Sequence, residues 1–319
     1  MSVIAHYYKV GKKNLQRCYK RQQDGYKGWD QKAHCQKYMV FPDNITPHLA
    51  IDESSLSKGE LHTFVSSRDK TSRKGKLIAM VDSTRSEDII EVLQRIPLSK
   101  RLSVTEVSLD MASNMSKACE KAFPNAILVK DRFHVVRLVT EALQHVRVDQ
   151  RWKEIDKENE AIKKARQRGS RYKPVVLSNG DTPRQLLARS RYLLYKHPEQ
   201  WTKTQIHRAA LLFQLYPHIN EAYRLAWDFR KIYNHLSKQQ ALKAIKQWLE
   251  DVKEVGSEHF NIASEAIINH LEGILAFFNN RSTNAHAEYF NAQIKLFRAN
   301  LRGVSDSKIF LYRLQKVFA

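Results

Sequence analysis

The hydrophobic positions change period along this chain, and the change divides it. From about residue 48 apolar residues come in short runs, HLAIDE, ELHTFVSS and KLIAMVDS, separated by Lys58-Gly59 and by the polar KTSRKG loop. Runs of this length, rich in β-favouring side chains, predict three strands joined by hairpins. In SEDIIEVLQRI the spacing of Ile89, Ile90, Leu93 and Ile96 becomes helical, with Ser86 placed as N-cap. Strand TEVSLD, helix MASNMSKACEKAF and, after Phe123-Pro124, strand NAILVKD follow. The order is βββαβαβ: three antiparallel strands, then alternating helix and strand. It predicts an α/β mixed sheet covered by helices.

After Asp131 the pattern stays helical, with no strand predicted before the end. HVVRLVTEALQHV, TPRQLLARSRYLLY, TKTQIHRAALLFQLY, INEAYRLAWDFRKIYNHL, QQALKAIKQWLEDV and ASEAIINHLEGILAFF carry apolar residues at helical spacing. Trp201, Trp227 and Trp248 sit in or beside them and are assigned to core packing, which requires that spacing. Lys153 to Lys173 is charged instead, either a solvated helix and loop or an arm that tracks phosphates. No internal repeat or low-complexity linker is visible. The predicted organisation is a basic helical region over 1–42, a sheet domain beginning at 48–135, an all-α insertion over 136–278, and a return to the sheet domain over 279–319.

The first segment is basic, with Lys9, Lys12, Lys13, Arg17, Lys20 and Arg21 interleaved with Tyr7, Tyr8 and Tyr19. KKNLQRCYKRQQ has two readings. It is the last helix of a helix-turn-helix, with Arg and Lys on the groove side and Leu15 and Tyr19 holding it down, or it is a basic amphipathic extension packed on the main domain. The turn Phe41-Pro42-Asp43-Asn44 closes the region.

Charge extends this picture to the whole chain. Its 319 residues are 42% apolar, enough for a sizeable core, yet 54 Lys+Arg stand against 33 Asp+Glu, a net charge of +21. A field of that sign attracts a polyanion and releases its counterions on contact. Cys18, Cys35 and Cys119 are scattered and lack C-x-x-C spacing, which predicts reduced thiols and no zinc ribbon, with His34 beside Cys35 incidental. No apolar stretch is long enough to span a bilayer, and MSVIAHYYKVGKK has no signal core. An intracellular protein without a membrane anchor is expected.

Candidate chemistry rests on Asp52 in HLAIDES, Asp110 in TEVSLDMASN and Glu288 in TNAHAEYFNAQIK. Three carboxylates brought together by the fold hold two divalent cations about 3.5–4 Å apart, the arrangement of two-metal phosphodiester chemistry. Asp110 has a second reading, as a cap for the helix over 111–123. Glu53 is expected to point to the opposite side of its strand from Asp52. In STNAHAEYFNAQIKLFRANLRG, Asn284, Glu288, Asn291 and Lys295 share one helical face, while Phe290, Ile294 and Phe297 form another that packs on the sheet. The polar stripe aligns a carboxylate for metal with an ammonium for phosphate, or it is a face for solubility.

LAIDESSLSKG, VSLDMASNM, FPNAILVKDRFHVVRLV, AYRLAWDFRKIY and STNAHAEYFNAQIKLFRANLRG, in that order, cover nearly everything from residue 48 onward. Together they resemble the catalytic part of an insertion-sequence transposase of the DDE superfamily, of the ISL-three type and its two-reading-frame relatives in Bacteroidota. The resemblance implies an RNase H-like, retroviral-integrase-like sheet interrupted by the large all-α insertion, with Asp52 on the central strand and Asp110 at the end of its neighbour. It implies Asp52, Asp110 and Glu288 as ligands of two Mg²⁺ ions, with Mn²⁺ able to substitute. Asp131 and His134, in the DRFH segment, either hold a ligand or a DNA phosphate in place or are structural at a strand-to-helix turn. By the resemblance Lys295, with Asn284 and Asn291 on its stripe, is expected to contact transposon-end DNA, and Lys12, Lys13, Arg17 and Arg21 are expected to add phosphate contacts. The implied function is metal-dependent cleavage of transposon ends and transfer of the 3′-OH to target DNA, by a homodimer on double-stranded DNA in the bacterial cytoplasm at the nucleoid. Family members begin with a zinc-binding region and a complete helix-turn-helix, so a separate N-terminal DNA-binding protein is a further expected partner. The alternatives are an RNase H-like nuclease that cuts without joining, and an inactive transposase-derived DNA-binding protein.

Overall fold

The computed structural model describes residues 5–6, 9–21, 25–57, 60–68, 75–301 and 306–319, with the side chains of 18–21, 57 and 60 left aside. Expectations for Tyr7, Tyr8, Lys58-Gly59, most of the KTSRKG loop and the side chains of Tyr19 and Arg21 therefore lie outside the described residues. The chain forms two compact units, 1–131 with 281–319, and 132–280.

The first unit is built on six strands: β1 (Tyr38–Val40), β2 (His48–Ser57), β3 (Glu60–Ser67), β4 (Leu77–Val81), β5 (Glu106–Leu109) and β6 (Ile127–Lys130). Their order across the sheet is β1-β4-β3-β2-β5-β6. β1 to β2 pair antiparallel through β4 and β3, while β5 runs parallel to β2 and β6 parallel to β5. The mixed sheet is as expected. β1 was not anticipated, because three residues are too few to display a period.

Alternation along the strands sends side chains into two cores. On one face Leu49, Ile51, Val107 and Leu109 meet Ile89 and Leu93 of α2 (Ser86–Gln94) and Met115 and Cys119 of α4 (Ser113–Ala122), with the short α3 (Leu98–Leu102) between these helices in sequence. On the other, Leu56, Phe64 and Met80 meet Phe290 and Ile294 of α12 (Ala285–Asn300) and Ile309 and Leu314 of α13 (Ser307–Phe318). Phe290 and Ile294 thus pack on the sheet as their spacing predicts, with Phe297 at the margin. Tyr26, Trp29, Cys35 and Met39 complete this second core, and Trp29 Nε1 donates to Gln315 Oε1 at 2.8 Å. The segment 25–40 is therefore anchored on this core through those four side chains, while Lys27, Asp30, Gln36 and Lys37 between them are exposed. The helix α1 (Lys12–Arg21) precedes this segment, with Lys12, Lys13 and Arg17 exposed.

Ser86 is not the cap of α2. Arg85 occupies the N-cap without a side-chain bond, and the turn is held by Ser83, whose Oγ donates to Asp88 and accepts from Arg85 N. Cys35 and Cys119 are buried free thiols, and burial pushes the Cys119 thiol up to about 12. His34 stacks on Tyr38 at 4.2 Å.

The second unit is helical, with no strand among its described residues. It comprises α5 (Arg132–Gln167), α6 (Pro183–Arg189), α7 (Lys203–Leu215), α8 (Pro217–Ile232), α9 (Lys238–Val255), α10 (Glu258–Asn269) and α11 (Leu271–Asn280). α5 is the spine, with α6, α8 and α10 against it, while α8 also packs on α7 and α9. α6 and α7 start at full capping boxes, Thr182 with Gln185 and Thr202 with Gln205, which satisfy two orphan backbone N–H groups each. Trp248 is buried, its Nε1 donating to Leu225 O at 2.9 Å. The run read as one helix over 263–278 is two, because His270 leaves the helical conformation. Among the described residues no helix is long and apolar enough to cross a membrane.

Candidate active site

Parallel pairing of β2 with β5 sets Ala50 against Ser108, and the same two-residue step leads from each to Asp52 and Asp110. The sheet's period of two keeps Ser108 and Asp52 on the face covered by α12. Two hydrogen bonds mark that face: Ser108 Oγ donates to Asn284 Oδ1 at 3.0 Å, and Asn291 Nδ2 donates to Asp52 Oδ2 at 2.8 Å. Residues separated by 239 positions are thus in direct contact at Asp52.

Each aspartate is oriented by its own backbone. Asp52 Oδ1 accepts from Glu53 N, and Asp110 Oδ1 accepts from Ala112 N, both at 2.8 Å. The second bond is the local turn that leads into α4, whose N-cap is Ala112 and not Asp110. A carboxylate has about four lone-pair sites, so a single N–H leaves capacity for other partners. Beneath Asp110 the buried Lys130 donates from Nζ to the Asp110 carbonyl at 2.9 Å and to Ser116 Oγ at 2.6 Å. Burial draws its ammonium below the usual lysine range, against the pull of the Asp110 charge. Lys130 was not singled out from the sequence, where a lysine ending an apolar strand looks like any solvated terminus.

Glu53 points to the α4 side, where Asn114 Nδ2 donates to it at 3.3 Å. Burial pushes its carboxyl above the ordinary range, the Asn114 bond opposes that, and the Asp110 charge adds to it.

Glu288 is exposed in the first turn of α12, one turn from Asn284 and one from Asn291, both anchored on β2. Asn284 itself is fully buried. Its backbone N donates to Asp131 Oδ1 at 3.0 Å and its Nδ2 to Ile51 O at 3.4 Å. The residue predicted on a DNA-facing stripe therefore points inward and seats the start of the helix. Asn291 is buried as well, whereas Lys295 is exposed. Asp131 is buried and holds α12 through Asn284. His134 lies in the helical unit, on the first turn of α5, edge-on to Phe133.

A second buried connection starts α12. Arg68 Nη2 donates to Glu106 Oε1 and, at 2.8 Å, to Ser282 Oγ, with both members of the ion pair under 10% exposed. Nothing local in the sequence marks this pair. Asn284→Ala removes the carboxamide that accepts from Ser108 and donates to Ile51. It is expected to cost about 1–3 kcal/mol, the usual penalty for orphaned buried polar groups, measured by urea denaturation.

Among the described residues no three His, Cys, Asp or Glu side chains already stand together as a ligand set. The donor chemistry of Asp52, Asp110 and Glu288 suits a hard cation such as Mg²⁺, which takes oxygen ligands. The hydrogen bonds above orient two of the three from the protein side.

Comparison with known proteins gives the class. Residues 49–314 match the DDE_Tnp_ISL3 family of transposases, and the chain belongs to that family. It is a DDE-type transposase sequence of the insertion-sequence kind. It is 23% identical over 274 residues to the transposase for insertion sequence element IS1001 of Bordetella parapertussis, over 85% of this chain and 61% of that protein. It is 26% identical over 196 residues to the transposase for insertion sequence element IS1557 of Mycobacterium tuberculosis (strain CDC 1551 / Oshkosh), over 60% and 43% respectively. The chain thus spans less than two thirds of the length of either relative. No solved structure matches it.

Proposed function

We propose that this chain is the RNase H-like catalytic part of a transposase that cuts DNA at an element end and joins the freed 3′-OH to target DNA. The observation that carries the reading is the Asn291–Asp52 hydrogen bond, which sets the helix bearing Glu288 on the strand bearing the first aspartate. Asp52, Asp110 and Glu288 are the residues that hold the metal. Bound there, two Mg²⁺ ions supply the acidity that activates water and the charge that stabilises the departing 3′ oxygen. The chain's own groups do the positioning. Glu53 N–H and the Asn291 amide fix Asp52, the Ala112 N–H fixes Asp110, and Asp131 with Asn284 fixes the start of α12. Glu288 is exposed in the first turn of α12, between the two asparagines that seat this helix on β2. Lys295 offers its ammonium to a DNA phosphate, and Lys12, Lys13 and Arg17 extend the phosphate contact, giving an affinity that falls steeply with salt. Two ends must be joined, so a dimer is the expected form on DNA.

The test is strand cleavage and joining on a labelled duplex bearing the element's own end, with Mg²⁺ or Mn²⁺ and with chelator, for wild type, Asp52→Ala, Asp110→Ala and Glu288→Ala. Cutting and joining by wild type alone, with DNA binding retained in all three variants, supports the reading. Cutting without joining makes it a nuclease, and tight binding without chemistry makes it a DNA-binding protein.

A further inference from the structure

The helical unit holds a row of arginines that no carboxylate offsets. Thr140, Gln144, Arg147 and Arg151 follow one another on α5 at steps of four, three and four, which puts them on one face. Arg147 is only 6% exposed, and its bonds go to neutral groups, from Nε to Gln144 Oε1 at 2.8 Å and from Nη1 to Leu187 O at 3.0 Å. The same Gln144 donates from Nε2 to Arg191 O at 3.3 Å, which brings the backbone of a third arginine beside the first two, its guanidinium lying over the Tyr192 ring.

Anchoring the segment 187–195 by its carbonyls accounts for Arg147. It does not account for Arg151, whose Nε is buried and donates to nothing, or for Arg191, which is exposed. Neither pairs with an acid: among the described residues none of these three guanidinium groups has a carboxylate oxygen within 4.0 Å, by contrast with Arg184 and Arg189 close by in the chain. Burial, with the charges of Arg151 and Arg191, draws the Arg147 guanidinium below its usual range. A buried cation bonded only to neutral groups keeps an uncompensated charge, and like charges held together add to the cost. Such a cost is offset when an anion completes the set, and planar N–H forks match the oxygens of a phosphate in particular. Arg191 and Tyr192, exposed at one end of the row, leave it open to solvent.

We propose that Arg147, Arg151 and Arg191 form a phosphate-binding site on the helical unit. The phosphate is either a backbone group of duplex DNA, which rests on the function proposed above, or a free polyphosphate.

The experiment compares wild type with Arg151→Gln/Arg191→Gln and with Lys243→Gln/Lys246→Gln, which removes the same charge from exposed positions of α9. Duplex binding is measured from about 50 to 200 mM salt. In a second arm, thermal melting is followed with inorganic pyrophosphate. If DNA is the source, the arginine variant loses about tenfold or more in affinity and nearly two in the slope of log K against log salt, while the lysine variant loses less. If a free phosphate is the source, pyrophosphate raises the Tm of wild type and not of the arginine variant, with DNA binding unchanged. Either result supports the site, and neither effect in either arm overturns it. The variant's own Tm is expected to equal or exceed that of wild type, since neither replaced guanidinium donates to the rest of the fold. Should the double variant not fold, Arg191→Gln alone, at an exposed position, is read in the same two arms. Wild type that binds no DNA overturns the function proposed above and leaves the pyrophosphate arm to decide the site.

Discussion

Asp52→Asn is expected to lower strand cleavage by at least about 10³-fold, beyond the roughly 10²–10³ lost when one transition-state donor is removed, while the protein stays folded and DNA-bound. The substitution keeps shape and removes charge. The carboxamide oxygen, placed where Asp52 Oδ1 lies, still accepts from Glu53 N–H. The new amide nitrogen faces Asn291 Nδ2, which in the wild type donates to Asp52 Oδ2. Asn291 Oδ1 is buried without a partner, so a flip of its amide turns an acceptor toward the new donor and exchanges one satisfied bond for another. Stability is therefore expected to change by less than about 1 kcal/mol, within the worth of one ordinary hydrogen bond, as read by urea denaturation. The lost factor then lies in chemistry, because a neutral amide is a poor ligand for a hard cation. Cleavage within tenfold of wild type sinks the assignment of Asp52 as a metal ligand. A large loss of stability shows instead that its role is to hold α12.

Arg68→Met carries the largest expected effect on stability, about 3–5 kcal/mol, because it takes one member from a buried ion pair. Arg68 directly follows β3, Glu106 begins β5, and Ser282 just precedes α12, so one guanidinium ties two strands to the entry of the helix that carries Glu288. The double variant Arg68→Met/Glu106→Met is expected to recover most of the loss, since replacing both members of a buried pair by apolar groups is often neutral. Urea midpoints of the single and double variants decide it. A single variant within about 1 kcal/mol of wild type, the range of an exposed pair, shows that water reaches the pair.

Much of the fold was legible because burial imposes local periods. Strands β2 to β6 and helices α2 and α4 announce themselves by alternation or by three-and-four spacing, and Phe290 and Ile294 mark the buried face of α12 before any partner for it is known. Elements without a period escaped: β1 is three residues long, and the break at His270 lies inside an unbroken apolar pattern. Asn284 shows the same limit at the site. Its spacing puts it in line with Glu288 and Lys295, but as N-cap it lies where the helix meets the sheet, and it is buried.

The chain's own order of residues determined most of the strand and helix succession, the basic charge, and the likeness to a transposase family that residues 49–314 bear out, and it singled out Asp52, Asp110 and Glu288 as the candidates to test. These are properties of composition, period and local motif, each contained in a short stretch. The tertiary structure alone decided which side chains meet: Asn291 on Asp52, Asp131 on Asn284, Arg68 on Glu106, and the arginine row of α5 against the segment 187–195. Such pairings join residues far apart in the chain, or turn on which face of a helix is covered, and no local pattern encodes a partner that only the packing of distant elements brings within hydrogen-bond reach.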